Sequence, residues 1–270
     1  MRCEALLPPR LRQLSMDPTV VSEYRPHLVA ISFALAFIGS LIALMVTRRI
    51  RHKDGSLNRA ATLTAGVALG GIGVWSMHFV GMVALRLDVA SSYGIVESAV
   101  SLLAAVACTS AALIVVSKAP RELARILGAG LLLGLGVAGM HYLGMYGMKI
   151  GGYINWDLRT VALSVLIAVA AGTAALWLAF NTRSMASRAG AALLMAAAVC
   201  AMHYTGMGAA EFICTTPNRF ATVQGTGLVS SLGLGPTVAA CAFAMAVLIS
   251  VDLYVQWMQR SIGQQRRRTA

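Results

Sequence analysis

Seven stretches of this chain, at 27–47, 62–85, 94–117, 124–148, 159–180, 189–212 and 230–257, are long and predominantly apolar. A helix needs roughly 20 such residues to cross a hydrocarbon core about 30 Å thick. The expected fold class is therefore an all-α membrane protein of seven transmembrane helices. Composition agrees: 58% of residues are hydrophobic, 12% are charged and the mean hydropathy is +0.73, far outside the range of a soluble domain. The chain divides into an N-terminal tail (1–26), a seven-helix unit (27–257) and a basic tail (258–270).

The net charge of +12 does not point to nucleic acid, because the basic residues fall between the apolar stretches. The segments after stretches one, three, five and seven carry Arg48, Arg49, Arg51, Lys53, Arg59, Lys118, Arg121, Arg125, Arg183, Arg188, Arg260, Arg266, Arg267 and Arg268; the opposite loops carry Arg86, Lys149, Arg159 and Arg219. The positive-inside rule then places the N-terminus outside and the C-terminus in the cytoplasm. Arg2, Arg10, Arg12 and Arg25 in the N-terminal tail run against this, and translation from Met16 would remove three of them. The first 26 residues lack the apolar core of a cleavable signal peptide, so the first helix serves as the insertion signal. The five cysteines have no paired spacing and do not form a disulfide framework or a Cys-rich zinc site.

One string occurs three times: Met77-His78-Phe79-Val80-Gly81-Met82, Met140-His141-Tyr142-Leu143-Gly144-Met145 and Met202-His203-Tyr204-Thr205-Gly206-Met207. The histidines are 63 and 62 residues apart, a period that holds two membrane helices and their loops. Every copy therefore crosses in the same direction and its histidine sits at the same depth, in the outer half of the bilayer by the topology above. Parallel repeats relate by an axis along the membrane normal, and three two-helix repeats predict a pseudo-threefold arrangement with the first or last helix extra. At 100° per residue His(i) and Met(i+4) share a face, with Gly(i+3) between turns on that side. Gly71, Gly134 and Ala196, seven residues before each histidine, are small enough to let helices approach.

An ionisable residue at membrane depth is a functional hypothesis by default, and here it recurs at matched depth. Duplication of an ancestral packing motif would also reproduce it. Imidazole with thioether is a soft donor set that favours copper, Cu(I) above all. The candidate ligands are His78, His141 and His203 with Met82, Met145 and Met207. Met77, Met140 and Met202 point about 100° from their histidines and are weaker candidates. Tyr142 and Tyr204 could hydrogen-bond a metal ligand or orient an imidazole, although Phe79 stands in that place in the first copy. Glu211 extends the stripe Cys200, His203, Met207 and is a candidate outer ligand or proton acceptor; Arg86 and Lys149 at the matching places favour a plain interfacial charge. His27 and His52 receive no role, and Asp252 is read as facing headgroups and water. The leading reading is a metal-based sensor. The alternatives are a haem or copper redox protein, with two histidines as axial ligands, and a copper-handling protein. A hydrolase is least supported, because no carboxylate recurs beside the histidines to act as base.

The three strings resemble the motif of the MHYT domain family of bacterial integral membrane sensors, and the resemblance covers residues 27–257. Only Met202-His203-Tyr204-Thr205 matches the name in full; Leu143, Phe79 and Val80 depart from it. The resemblance implies a multi-pass protein of the bacterial cytoplasmic membrane with a copper site near its outer face. That site would be formed by Met77, His78, Met140, His141, Met202 and His203 with Tyr142 and Tyr204, and would sense a diatomic gas such as O2, CO or NO. Many members of the family continue into cyclic-di-GMP synthase, phosphodiesterase or histidine kinase domains. The residues after Gln259 are too few to fold as such a unit, so a signal would pass to a separate cytoplasmic protein, or the chain is a fragment of a longer one.

Overall fold

The computed structural model describes residues 20–52 and 54–269, with 259–269 as backbone only. Met16 and the tail residues Arg2, Cys3, Arg10 and Arg12 lie outside the described residues. Strand β1 (Ser22–Tyr24) leads into helix α1 (Pro26–Val46), whose proline opens the helix where an amide donor is dispensable. Helix α2 (Arg59–Ala84) begins at Asn58, whose side chain accepts from Ala61 N at 3.1 Å. Strands β2 (Leu85–Leu87) and β3 (Ser91–Gly94) connect it to α3 (Ile95–Ser117). Then come α4 (Leu123–Tyr146), β4 (Met148–Ile150), β5 (Gly152–Trp156) and α5 (Leu158–Asn181), which Asp157 caps through Arg159 N and Thr160 N. A Ser184–Ser187 capping box opens α6 (Met185–Gly208), and β6 (Ala210–Cys214), β7 (Leu228–Ser230) and α7 (Ser231–Thr269) follow.

All seven helices are long and apolar enough to cross a membrane. The first six form a closed ring in which each packs on the next and α6 packs on α1. Helix α7 lies outside the ring against α2, so the last helix is the extra one. With α7 covering its outer side, the apolar window of α2 is 83% buried, against 28–44% for α1 and α3–α6 and 17% for α7 itself. Small residues bring the helices together: a side chain on Gly134 would meet the backbone of Val169 in α5, and one on Gly70 the carbonyl of Ala105 in α3. Gly71 faces Met245 of α7, while Ala196 packs with Ala36 of α1.

Two features depart from seven plain helices. The middle of α2, Val67–Ser76, is π-helical, a wide turn that Gly70, Gly71 and Gly73 accommodate and in which the Ser76 hydroxyl donates to the Gly71 carbonyl at 3.2 Å. At the end of the bundle where α2, α4 and α6 finish, the connections pair as short antiparallel sheets, β1–β2, β4–β3–β7 and β5–β6. Pairing satisfies backbone groups that the helices no longer serve. Helix α6 consequently stops at Gly208 rather than 212, and α4 at Tyr146 rather than 148. The segment after 257, read as a tail, continues α7 as helix to Thr269.

The opposite end carries most of the arginines. Arg51 Nε donates to the Ser117 carbonyl at the end of α3 (3.0 Å), and Arg48 donates to the Arg183 carbonyl beyond α5 (3.1 Å), placing cations at helix C-termini. Asp252 of α7 is half-buried there and bonded within the bundle: its carboxylate accepts from Thr64 Oγ1 of α2 at 2.6 Å and from Gln256 Nε2 at 2.7 Å.

Candidate metal centre

Alternate helices of the ring, α2, α4 and α6, each end in one copy of the repeated string, so their histidines point into the middle of the bundle from three sides. His78, His141 and His203 meet there at 0–1% exposure. Their Nδ1 atoms form a nearly equilateral triangle: 3.1 Å between His78 and His203, 3.1 Å between His78 and His141, and 3.2 Å between His141 and His203. The rings stand edge-on to one another at interplanar angles of 76–89°.

The glycine of each string explains how three rings fit. A side chain on Gly144 would overlap the Nε2 edge of His78, one on Gly206 that of His141, and one on Gly81 that of His203. The contacts run in a cycle, each imidazole seated on the next helix of the triad. Gly(i+3) is therefore not a helix-packing residue of its own face but the floor for a neighbour's histidine.

The donor set fits a metal ion. A neutral imidazole nitrogen carries either a proton or a lone pair in the ring plane, so three Nδ1 atoms around one point cannot satisfy each other. A single cation satisfies three lone pairs at once. With metal–imidazole bonds of ~2.0 Å, two nitrogens on a tetrahedral ion stand ~3.3 Å apart, close to the observed edges. The Nε2 atoms, which hold the protons when Nδ1 ligates, are buried with no hydrogen-bond partner among the described residues. The three histidines are the group among those residues whose ligand atoms could share an ion. A haem does not fit this arrangement: axial ligands flank a macrocycle, and three rings with centroids 4.9–5.2 Å apart leave no slot for one.

The other candidates take different places. Met77, Met140, Met202, Met82, Met145 and Met207 are all buried, at 0–3% exposure. Met77 packs with Ala36, Ala196 and Cys200 between α1 and α6, and Met202 lines an apolar hollow with Leu69, Val137 and Met195. The tyrosine hydroxyls turn outward to the neighbouring ring helix: Tyr142 pairs with Ser164 of α5 at 2.5 Å, and Tyr204 with Ser32 of α1 at 2.9 Å. In the first copy, where Phe79 has no hydroxyl, Trp75 Nε1 donates instead to Ser101 of α3 at 3.1 Å. Glu211 leaves the helical stripe, because it lies in β6, exposed, and accepts from Asn155 at 3.0 Å. The serines were missed by motif reading, yet Ser101 and Ser164 are 63 residues apart, the histidine period itself.

Two tandem segments, 71–129 and 134–192, match the family model MHYT, described as a bacterial signalling protein N-terminal repeat. The chain is 37% identical over 239 residues to the bifunctional diguanylate cyclase/cyclic di-GMP phosphodiesterase MucR of Pseudomonas aeruginosa, covering 85% of this chain and 34% of that protein. It is 34% identical over 193 residues to the cyclic di-GMP phosphodiesterase NbdA of the same organism (69% and 24%), and 29% identical over 196 residues to the signaling protein YkoW of Bacillus subtilis (70% and 24%). The chain thus spans a quarter to a third of the length of these relatives. No solved structure matches it.

Seven spanning helices that gather one histidine from every second ring helix define a multi-pass membrane protein with a buried, metal-competent triad. The chain belongs to the MHYT family of bacterial membrane signalling proteins. Its place is the bacterial cytoplasmic membrane.

Proposed function

We propose that the chain is a sensor in which His78, His141 and His203 hold a copper ion near the outer membrane face, with the motif methionines as thioether support. A diatomic gas would bind there, and the response would be read by a separate cytoplasmic protein. The observation that carries this reading is the convergence of three Nδ1 atoms on one buried point. Buried thioethers one position before and four after each histidine favour Cu(I) over harder ions. Cuprous copper, when bound, supplies a soft centre for neutral ligands. The apolar hollow lined by Met202, about 30 Å³, suits a small uncharged molecule better than water. The arginine-rich end supports a cytoplasmic C-terminus, and the cycle of histidine–glycine contacts supports the pseudo-threefold reading.

A continuous helix and one hydrogen bond would carry the response to the far side. Helix α2 carries His78 near one end and Thr64 near the other, and Thr64 holds Asp252 of α7. A ligand that prefers one placement of α2 would bias α7 as well, provided its affinity differs between the two arrangements.

The test is elemental analysis of detergent-purified protein beside a His78→Ala, His141→Ala, His203→Ala variant, followed by CO binding read in the infrared. Copper near one equivalent in the wild type alone, with a CO band that needs it, supports the reading. Wild type reconstituted with Cu(I) that retains none refutes it.

A further inference from the structure

Five cations of the described residues lie at the histidine end: Arg25, Arg86, Lys149, Arg159 and Arg219. Three have a carboxylate at hand. Lys149 pairs with Glu97 at 3.4 Å, Arg219 with Asp88 at 3.2 Å, and Arg159 sits in the field of Asp157. Arg25 and Arg86 form no ion pair with a described residue, and these two line the same hollow, about 230 Å³ in volume, between the end of α2 and the start of α7. Among the described residues no carboxylate lines that hollow. Glu23 stands opposite Arg86 in the β1–β2 ladder, outside the lining.

We propose that this hollow binds a phosphate-type oxyanion between Arg25 and Arg86. Guanidinium groups hold phosphate oxygens through paired, charge-assisted hydrogen bonds, and two of them beside one concavity are a complementary seat. Ser91 and Ser231 add hydroxyls to the wall, and Leu85, Leu87 and Leu232 an apolar flank. The hollow lies where the spans end, at the level of lipid headgroups, so the anion is either a phospholipid headgroup or free phosphate. The site is independent of what the triad holds.

Protein in phosphatidylcholine nanodiscs is titrated calorimetrically with inorganic phosphate. In a second arm, phosphatidylglycerol retained after purification is counted by mass spectrometry. Both arms compare wild type with Arg25→Gln/Arg86→Gln, which corrects for lipid bound at the arginine-rich end, and with Glu23→Gln. One equivalent of phosphatidylglycerol lost with the arginines assigns a lipid headgroup; saturable phosphate binding weakened at least tenfold by the double variant assigns free phosphate. Glu23→Gln removes a repelling charge and tightens either ligand severalfold, which decides the matter should the double variant not fold. Equal lipid retention and equal phosphate affinity in all three proteins overturns the proposal.

Discussion

The imidazole of His203 rests on the bare Cα of Gly81, and a methyl group there would come within 2.9 Å of the ring's Cδ2. Carbon atoms prefer ~3.5–4.0 Å, so Gly81→Ala must push His203 out of the triad although it changes no histidine. Gly144→Ala and Gly206→Ala act likewise on His78 and His141. Each should cost about 1–3 kcal/mol of stability and lower metal retention, read by thermal unfolding and elemental analysis. Gly139→Ala, with open space around it, should do neither.

Removing the tyrosine hydroxyls should separate packing from metal binding. Tyr142→Phe and Tyr204→Phe each lose one bond to a serine on the neighbouring helix. A loss of about 1 kcal/mol apiece with unchanged metal content is expected from the same two measurements. A fall in metal content would return the hydroxyls to the ion.

Much of this was legible before any coordinates. Period, depth and donor type identified His78, His141 and His203, because histidine in lipid has few reasons to recur. What the strings could not say is which helix each glycine serves, since a neighbour's ring lies outside the periodicity of its own helix. Helical periodicity extends the stripe to Glu211, but the helix ends at Gly208, and short pairing strands of three to five residues leave little alternation to read. The wide turn in α2 had a trace in Gly70, Gly71 and Gly73, but glycine in membrane helices usually signals close approach.

Position alone places Asp252 among headgroups and water, but its bonds to Thr64 and Gln256 make it the polar latch between α7 and α2. Asp252→Ala should leave both partners unsatisfied at a cost of about 1–3 kcal/mol. Spin labels on α2 and α7 at that end should show a broader distance distribution, with triad metal content unchanged.

The cap of α5 has a pH signature. The Thr160 hydroxyl, then the Arg159 amide, hold the Asp157 carboxyl below its ordinary value of 3.8. A carboxyl depressed in the fold contributes above the unfolded value and is lost as pH falls through the folded one, so the cap should be intact above pH 3.8 and fail below it. Carboxyl ¹³C NMR should place the midpoint under 3.8, and Thr160→Val should move it upward.

Helix α1 stands to α6 as α3 stands to α2 and α5 to α4: Tyr204 reaches Ser32 just as Tyr142 reaches Ser164. The ring is thus clasped by its own first helix, which completes a unit begun by the sixth. A lone helical hairpin could offer one imidazole and one glycine floor, but the floor would await a stranger's ring. Three such hairpins interlocked head to tail close the cycle, so no one repeat holds a complete site by itself.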